Sequence, residues 1–136
     1  MHDKIIGASL PSVMALSYIG DAAHSLYIRK MLVERGLCKS LDLNEAALGY
    51  VTAEAQAKVM RKIESYLTED ERATYKRAAN SSHLNKPKRA SAADYRAATG
   101  FEAVVGMLEW IGDKERLSEL FGLAYAEDGE NSNDNN

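Results

Sequence analysis

The chain has 136 residues and two prolines, and 46% of its residues are hydrophobic and 27% charged, which is typical of one soluble, mostly helical domain. Its single cysteine, Cys38, excludes an internal disulfide and cysteine-rich zinc sites, and it favours a reducing compartment, the cytoplasm. The formal net charge of −3 argues against nucleic-acid binding, but residues 126–136 hold four acids and no bases, so the remainder is +1. We expect no signal peptide and no membrane span.

The first predicted helix is unusual because apolar side chains occupy more than one of its sides. Ser9 and Pro11 are typical of a helix start, and Gly36 is typical of the residue just past a helix end. Such a helix is either central to the fold or shared with a partner subunit. Its main apolar stripe holds Leu16, Ile19, Ala23, Leu26 and Lys30, and the apolar residues off that stripe are Val13, Tyr18, Ala22 and Ile28.

The middle of the chain predicts three shorter helices and a basic loop. Two helices are expected over residues 41–50 and 53–67, with Thr52 as a cap between them. Residues 68–71, with the sequence TEDE, form a capping box that opens a short charged helix. Residues 76–93 contain five Lys or Arg residues and no acid, and their polar clusters predict mostly loop.

The C-terminal part predicts one strongly apolar helix over residues 94–112 and one amphipathic helix over residues 113–126. No strand alternation competes anywhere, so the predicted fold class is all-α. Residues 126–136 are polar and rich in Asn, and we expect them to form a disordered acidic tail after a domain over residues 1–125. The apolar face expected for the first of these helices holds Phe101, Val104, Val105, Leu108 and Ile111.

Two of the predicted helices place a carboxylate beside glycine. Gly20 adjoins Asp21, while Gly100 and Gly106 bracket Glu102. Glycine lets a neighbouring helix backbone come close, which would bring carboxylates on facing helices within reach of one shared ion. Oxygen ligands of this kind suit Mg²⁺, which keeps several waters. The residues alone leave a second interpretation open, in which each acid caps or pairs locally and the glycines serve only packing.

Four motifs in chain order resemble one protein family. They are YIGDA followed by LYIRKML, then YVTAEAQA, then NKPKRASAADYRAATGFEAVVG. Together they resemble Mini-ribonuclease III, the short bacterial relative of ribonuclease III that lacks the double-stranded-RNA-binding domain. The resemblance covers roughly residues 9–122 and implies a ribonuclease III-type helical catalytic domain over residues 1–125.

What the resemblance implies is an all-helical homodimer that cuts both strands of duplex RNA by Mg²⁺-assisted hydrolysis. Asp21 corresponds to the catalytic aspartate and Glu102 to the second metal-associated carboxylate. The implied role is trimming of the ends of the 23S ribosomal RNA precursor in ribosome biogenesis. The implied partners are that double-stranded RNA, a second copy of the chain and a large-subunit ribosomal protein.

This chain departs from the family's patterns at two places. Full-length ribonuclease III has two further acids in these helices, at the positions of Ser17 and Thr99, which the Mini-ribonuclease III family generally lacks as well. The number of metal ions is therefore left open. The usual GRN motif is replaced by Ala78, Ala79 and Asn80, which removes an arginine expected to contact the substrate.

The acid-free stretch is the predicted RNA contact, since duplex RNA is recognised through phosphates, 2′-hydroxyls and shape. A solvated basic loop that binds nothing is the alternative. Two functions from other classes also stay open, namely a non-catalytic RNA-binding module on the same fold and a helical module for an acidic protein partner. Retention of both acids favours the enzyme. The predicted RNA-binding residues are Arg77, Asn80, Lys86, Lys88, Arg89 and Arg96.

Overall fold

Helices are the only regular secondary structure in the described part of the chain, which confirms the all-α fold class. The computed structural model describes residues 10–81 and 90–134, with side chains as far as residue 126. None of the helices in these ranges is long and apolar enough to cross a bilayer. The helices are α1 Val13–Glu34, α2 Ser40–Val51, α3 Ala53–Ile63 with a 3₁₀ turn Glu64–Tyr66, α4 Glu69–Ser81, α5 Ala92–Ile111 and α6 Lys114–Asp134.

Side-chain caps and glycines define the helix ends much as the sequence predicts. Helix α1 begins at Val13, where the Ser12 hydroxyl accepts a hydrogen bond from the Ala15 N–H at 3.2 Å, while Ser9 lies outside the described residues. Gly36 follows its end with a φ of +99°, a backbone conformation that favours glycine. The Thr52 hydroxyl caps α3 by accepting from the Ala55 N–H at 3.2 Å.

The capping box at the start of α4 is confirmed and is tied to the last helix. The Glu71 carboxylate accepts from the Thr68 N–H at 2.9 Å, and the Thr68 hydroxyl accepts from the Glu71 N–H at 3.2 Å. Glu71 is almost fully buried, and Arg116 of α6 compensates its charge with two N–H donors, each at 2.8 Å. The helix then continues to Ser81, so residues 76–81 of the stretch predicted to be mostly loop are helical.

Helix α5 is the centre of the fold. Helices α1, α3 and α4 all pack against it, which leaves most of its circumference buried. The apolar face predicted for this helix is confirmed, since all five residues of that face are buried. The backbone of α6 extends to Asp134, past the predicted start of a disordered tail at residue 126. The division of the chain at residue 125 stays a prediction.

The backbones of α1 and α5 touch where two glycines face each other. A Cβ placed on Gly20 would lie 1.7 Å from the carbonyl oxygen of Glu102, and one on Gly106 would lie 1.8 Å from that of Leu16. Both obstacles are backbone atoms, which cannot rotate away as a side chain can. The close approach predicted from the glycines is therefore confirmed, whereas Gly100 instead accommodates the Tyr75 ring of α4.

The glycine contact also explains why the stripe predicted for α1 is wrong. Of that stripe only Leu16 is fully buried, whereas Leu26 is 59% exposed and Lys30 lies at the surface. A pattern based on apolar residues leaves out glycine and histidine, although Gly20 and His24 are buried in the contact with α5. The buried residues of α1 are Leu16, Ser17, Gly20, His24, Ile28, Met31 and Leu32.

We predict that Gly20→Ala lowers the free energy of unfolding by about 1–3 kcal/mol or more, because the added methyl group must push two helix backbones apart. Gly49→Ala is the matched control, since a Cβ added to Gly49 in α2 would have no neighbour within 4 Å and alanine is the better helix former by up to about 1 kcal/mol. Urea unfolding of both variants measures the difference. Equal stability of Gly20→Ala and wild type would contradict this account of the helix crossing.

Candidate active site

The crossing of α1 and α5 brings the two predicted catalytic acids together. Asp21 follows Gly20 on α1, and Glu102 is the residue whose backbone Gly20 contacts. The two carboxyl groups are within hydrogen-bonding reach of each other. Asp21 is exposed, whereas Glu102 is largely buried, so the pair has one acid at the surface and one beneath it.

The close pairing changes the acidity of Glu102. Burial raises the pKa of this carboxyl to about 8, and the hydrogen bond to Asp21 and its negative charge act in the same direction. Two ionised carboxylates side by side repel each other, so ionisation of both is unfavourable without a compensating positive charge. The chain itself places no cationic side chain against Glu102 among the contacts of its described residues, so the pair is chemically suited to a cation.

Gln56 of α3 reaches the same carboxylate from the third helix around the site. Its side-chain amide donates to Glu102 Oε2 at 3.2 Å, a contact that favours the ionised form. The amide nitrogen also lies 3.3 Å from Nδ1 of His24 on α1. Nε2 of that histidine lies 2.6 Å from the Tyr125 hydroxyl of α6. His24 is completely buried.

Gln56 received no role from sequence reasoning, although a signal was present. The residue lies in the YVTAEAQA motif and on the buried stripe of α3, whose other members are Ala57, Met60 and Ile63. A long polar side chain among small and apolar residues of one helix face needs a hydrogen-bonding partner inside the protein. That requirement points to a polar group on the helix it packs against.

Ser17 and Thr99, where full-length ribonuclease III has acids, contact each other in this chain. The Ser17 hydroxyl donates to the Thr99 backbone carbonyl at 2.8 Å, and both residues are 6% exposed. At these positions the chain therefore has a hydrogen bond between α1 and α5 instead of two further carboxylates. This hydrogen bond helps to hold α1 against α5 at a point one helical turn before Asp21.

Only part of the predicted RNA-binding set falls within the described residues. Arg77 and Asn80 lie near the C-terminal end of α4, where Arg77 is exposed, and Arg96 is exposed on α5. The end of α4 contacts α1, where the Ser81 hydroxyl lies 3.7 Å from the Met14 sulfur. Asp21 is seven residues further along α1, or about 10 Å along the helix axis. Lys86, Lys88 and Arg89 lie outside the described residues.

The donor set fits Mg²⁺ bound largely by water and substrate. Among residues 10–81 and 90–126, no group of three His, Cys, Asp or Glu side chains comes together. Mg²⁺ is usually held by one or two carboxylates together with waters and phosphate oxygens, and Asp21 with Glu102 would supply two. Burial and the neighbouring Asp21 raise the pKa of Glu102 to about 8, so a bound cation would favour its ionised form.

Comparison with known proteins places the chain in a family. The family model of the ribonuclease III domain matches residues 14–114, which include both acids. The chain therefore belongs to the ribonuclease III domain family, a family of endoribonucleases. Its curated relatives narrow this to the Mini-ribonuclease 3 proteins, which confirms the resemblance seen in the motifs.

The relatives cover most of the chain. Mini-ribonuclease 3 of Symbiobacterium thermophilum is 42% identical over 111 residues, which cover 82% of this chain and 85% of the relative. The protein of that name from Streptococcus pneumoniae is 41% identical over 118 residues, covering 85% and 92%. A crystal structure of a Fusobacterium nucleatum protein matches with a TM-score of 0.74 and 29% identity, covering 82% of this chain and 90% of that one. The fold is thus the ribonuclease III type.

We predict that the metal-free protein loses stability as pH rises from about 4.5 to about 8, because the folded state holds a proton on Glu102 more tightly than the unfolded chain does. The stabilising contribution is fully present below the unfolded pKa and is lost as pH passes the folded one. Urea unfolding in EDTA across this range measures the slope. Glu102→Gln, which mimics the protonated form, should flatten it.

Carboxyl ¹³C NMR of the same metal-free protein gives a direct check. Glu102 should titrate near pH 8, and Asp21→Asn should lower that midpoint because the neighbouring negative charge is removed. A Glu102 midpoint at the ordinary value of about 4.3 in wild type would contradict the pairing of the two acids.

Proposed function

We propose that the protein is a Mg²⁺-dependent endoribonuclease that cuts both strands of double-stranded RNA. The observation that supports this most is the convergence of Asp21 and Glu102 at the crossing of α1 and α5. Membership of the ribonuclease III domain family supports the reaction class, and the chain's own geometry supplies the two acids that such a reaction needs.

Hydrolysis of a phosphodiester needs a nucleophilic water near neutral pH and stabilisation of negative charge on the leaving 3′ oxygen. Mg²⁺ held by these acids would supply both, since it lowers the pKa of a bound water and stabilises negative charge on an oxygen. Asp21, which is exposed, would hold the ion on the side open to RNA, and Glu102 would hold it from below. Gln56 favours the ionised form of Glu102 by donating a hydrogen bond. Ser17 and the glycine contact fix the distance between the two helices.

The proposed RNA contact extends from the acid pair toward the end of α4. Arg77 and Asn80 lie there, and the Met14 contact places this end about two helical turns of α1 from Asp21. Arg96 adds an exposed cation on α5, six residues before Glu102. Lys86, Lys88 and Arg89 stay in the proposal as phosphate contacts on the strength of their sequence position.

An apolar row on the outside of α1 supports a homodimer. Met14, Tyr18, Ala22 and Leu26 follow one another at four-residue steps, and Tyr18 is 83% exposed. Large apolar side chains in a contiguous exposed patch are typical of an interface. The row passes directly beside Asp21. A two-fold axis through it would give a dimer two acid pairs, one for each strand of a duplex.

The proposed biological role is maturation of the ends of the 23S ribosomal RNA precursor in the cytoplasm, where a large-subunit ribosomal protein would present the RNA. A non-catalytic RNA-binding module on this fold is the alternative. Both acids are retained and adjacent here, which favours catalysis over binding alone. Duplex binding in EDTA without cutting under any divalent metal would favour the alternative instead.

We predict that the purified protein cuts a long RNA duplex in Mg²⁺ and that Asp21→Asn abolishes cutting, because a neutral amide cannot hold the cation with Glu102. Glu45→Gln, which removes an exposed acid from α2, is the matched control and should cut as wild type does. Gel analysis of end-labelled strands measures the rate. Equal cutting by Asp21→Asn and wild type would remove the catalytic assignment.

We predict that Arg77→Ala weakens duplex binding and reduces the salt slope of log K by about 1, because one phosphate contact is lost. Lys39→Ala is the matched control, since Lys39 is exposed beyond the far end of α1, roughly 30 Å from Met14 along the helix. Binding by catalytically inactive Asp21→Asn protein at several salt concentrations gives both slopes. The same loss in both variants would argue against a localised contact.

We predict that Leu26→Asp converts the dimer to a monomer, because it places a charge in the apolar row. Leu48→Asp makes the same change at a leucine of matching exposure, 60% against 59%, on α2, and should leave the dimer intact. Sedimentation equilibrium distinguishes the species. A wild-type monomer at high concentration, or dissociation by both variants, would contradict the proposed interface.

A further inference from the structure

A buried chain of polar side chains runs from the last helix to the acid pair. Tyr125 of α6 contacts His24 of α1, His24 contacts Gln56 of α3, and Gln56 contacts Glu102 of α5, with separations of 2.6, 3.3 and 3.2 Å. Tyr125, His24 and Gln56 are at most 7% exposed. Four helices thus meet through hydrogen bonds that end on a catalytic carboxylate.

The geometry determines the direction of each hydrogen bond. The Gln56 amide nitrogen has two hydrogens and two neighbours, Glu102 Oε2 and His24 Nδ1. An amide nitrogen donates and does not accept, so Glu102 Oε2 and His24 Nδ1 must both be acceptors. The histidine proton must then be on Nε2, from which it donates to the Tyr125 hydroxyl. Burial lowers the pKa of His24 to about 4, which keeps the ring neutral and this tautomer available.

We propose that His24 is a positioning residue of the nuclease site, which accepts from the Gln56 amide and so keeps its NH₂ group, rather than its carbonyl, turned toward Glu102. This inference rests on the proposed function. An amide turned the other way would replace this donor with a carbonyl oxygen, which cannot donate to Glu102 Oε2. His24 therefore keeps an amide donor on Glu102 Oε2 without touching the cation or the substrate.

A role in packing alone is the competing explanation, because the imidazole also contacts aromatic rings. It lies edge-on to Phe101 with ring centroids 5.2 Å apart and is stacked on Tyr125 at 6.1 Å. A phenyl ring could keep most of these contacts, whereas an asparagine could not. The two side chains also differ in hydrogen bonding, since asparagine has a carbonyl oxygen close to the position of Nδ1 and phenylalanine has no acceptor. If His24 serves packing, His24→Phe should be the better enzyme, and if His24 orients Gln56, His24→Asn should be the better one.

The experiment compares His24→Phe with His24→Asn. We expect His24→Phe to raise the Mg²⁺ concentration at half-maximal cleavage about 10-fold, the scale typical of groups that orient metal ligands. His24→Asn should shift it much less, although the variant unfolds more easily. If the loss of function instead follows the loss of stability, with His24→Asn the worse enzyme, His24 serves packing and the proposal is wrong.

A double-mutant cycle tests whether His24 acts through Gln56. In a Gln56→Leu background, which has no amide to orient, His24→Phe should cause no further change in the Mg²⁺ midpoint. An undiminished effect in that background would overturn the proposed route. The cycle compares ratios of Mg²⁺ midpoints, so it does not depend on how much activity each single variant loses.

A measurement on the wild-type, metal-free protein needs neither folded variants nor activity. Long-range ¹H–¹⁵N NMR reports the histidine tautomer, and we expect His24 to be protonated on Nε2 with Nδ1 as an acceptor of the Gln56 amide. A proton on Nδ1 would overturn the proposal even if the enzyme is active. Conversely, a protein that shows the expected tautomer but cuts no duplex would contradict the proposed function and leave the orientation of Gln56 established.

Discussion

The contact of two helix backbones at Gly20 and Gly106 is the constraint on which the site depends. With no side chain between them, α1 and α5 approach until a Cβ on either glycine would collide with a carbonyl group. This distance brings Asp21 within reach of Glu102, whose own backbone forms part of the contact. The Ser17 hydroxyl adds a hydrogen bond across the same crossing. The two glycines lower the helix propensity of α1 and α5, but they allow Asp21 and Glu102 to lie side by side.

The same contact places two carboxyl groups side by side, and burial together with their mutual repulsion determines the acidity of the site. Glu102 is largely buried beside another acid, and its pKa is raised to about 8 as a consequence. A structural protein would gain stability by losing one of these acids, whereas in the proposed nuclease both would hold a cation. The Gln56 amide, which ends the buried chain from Tyr125 and His24, donates to Glu102 and favours the ionised acid. A site of this kind depends on positions in four different helices.

The sequence predicted the helices and the acid pair well because those features have local signals. Caps, glycines and the family motifs each depend on a few neighbouring residues, and they located Asp21 and Glu102 at one helix crossing. Burial of α1 was mispredicted because its core face includes glycine and histidine as well as aliphatic side chains. Gln56 was missed as a site residue for a related reason. Its partner is distant along the chain, so only the packing of α3 on α5 shows what it contacts.

Anomalous diffraction from a crystal soaked in Mn²⁺ tests the central claim most directly, since Mn²⁺ accepts the oxygen ligands that Mg²⁺ prefers. The account predicts an anomalous peak between α1 and α5, within direct or single-water reach of the carboxyl groups of both Asp21 and Glu102. It also predicts that the peak disappears in Asp21→Asn crystals. Carboxyl groups that point to separate regions, with no shared ion position between them, would contradict the account.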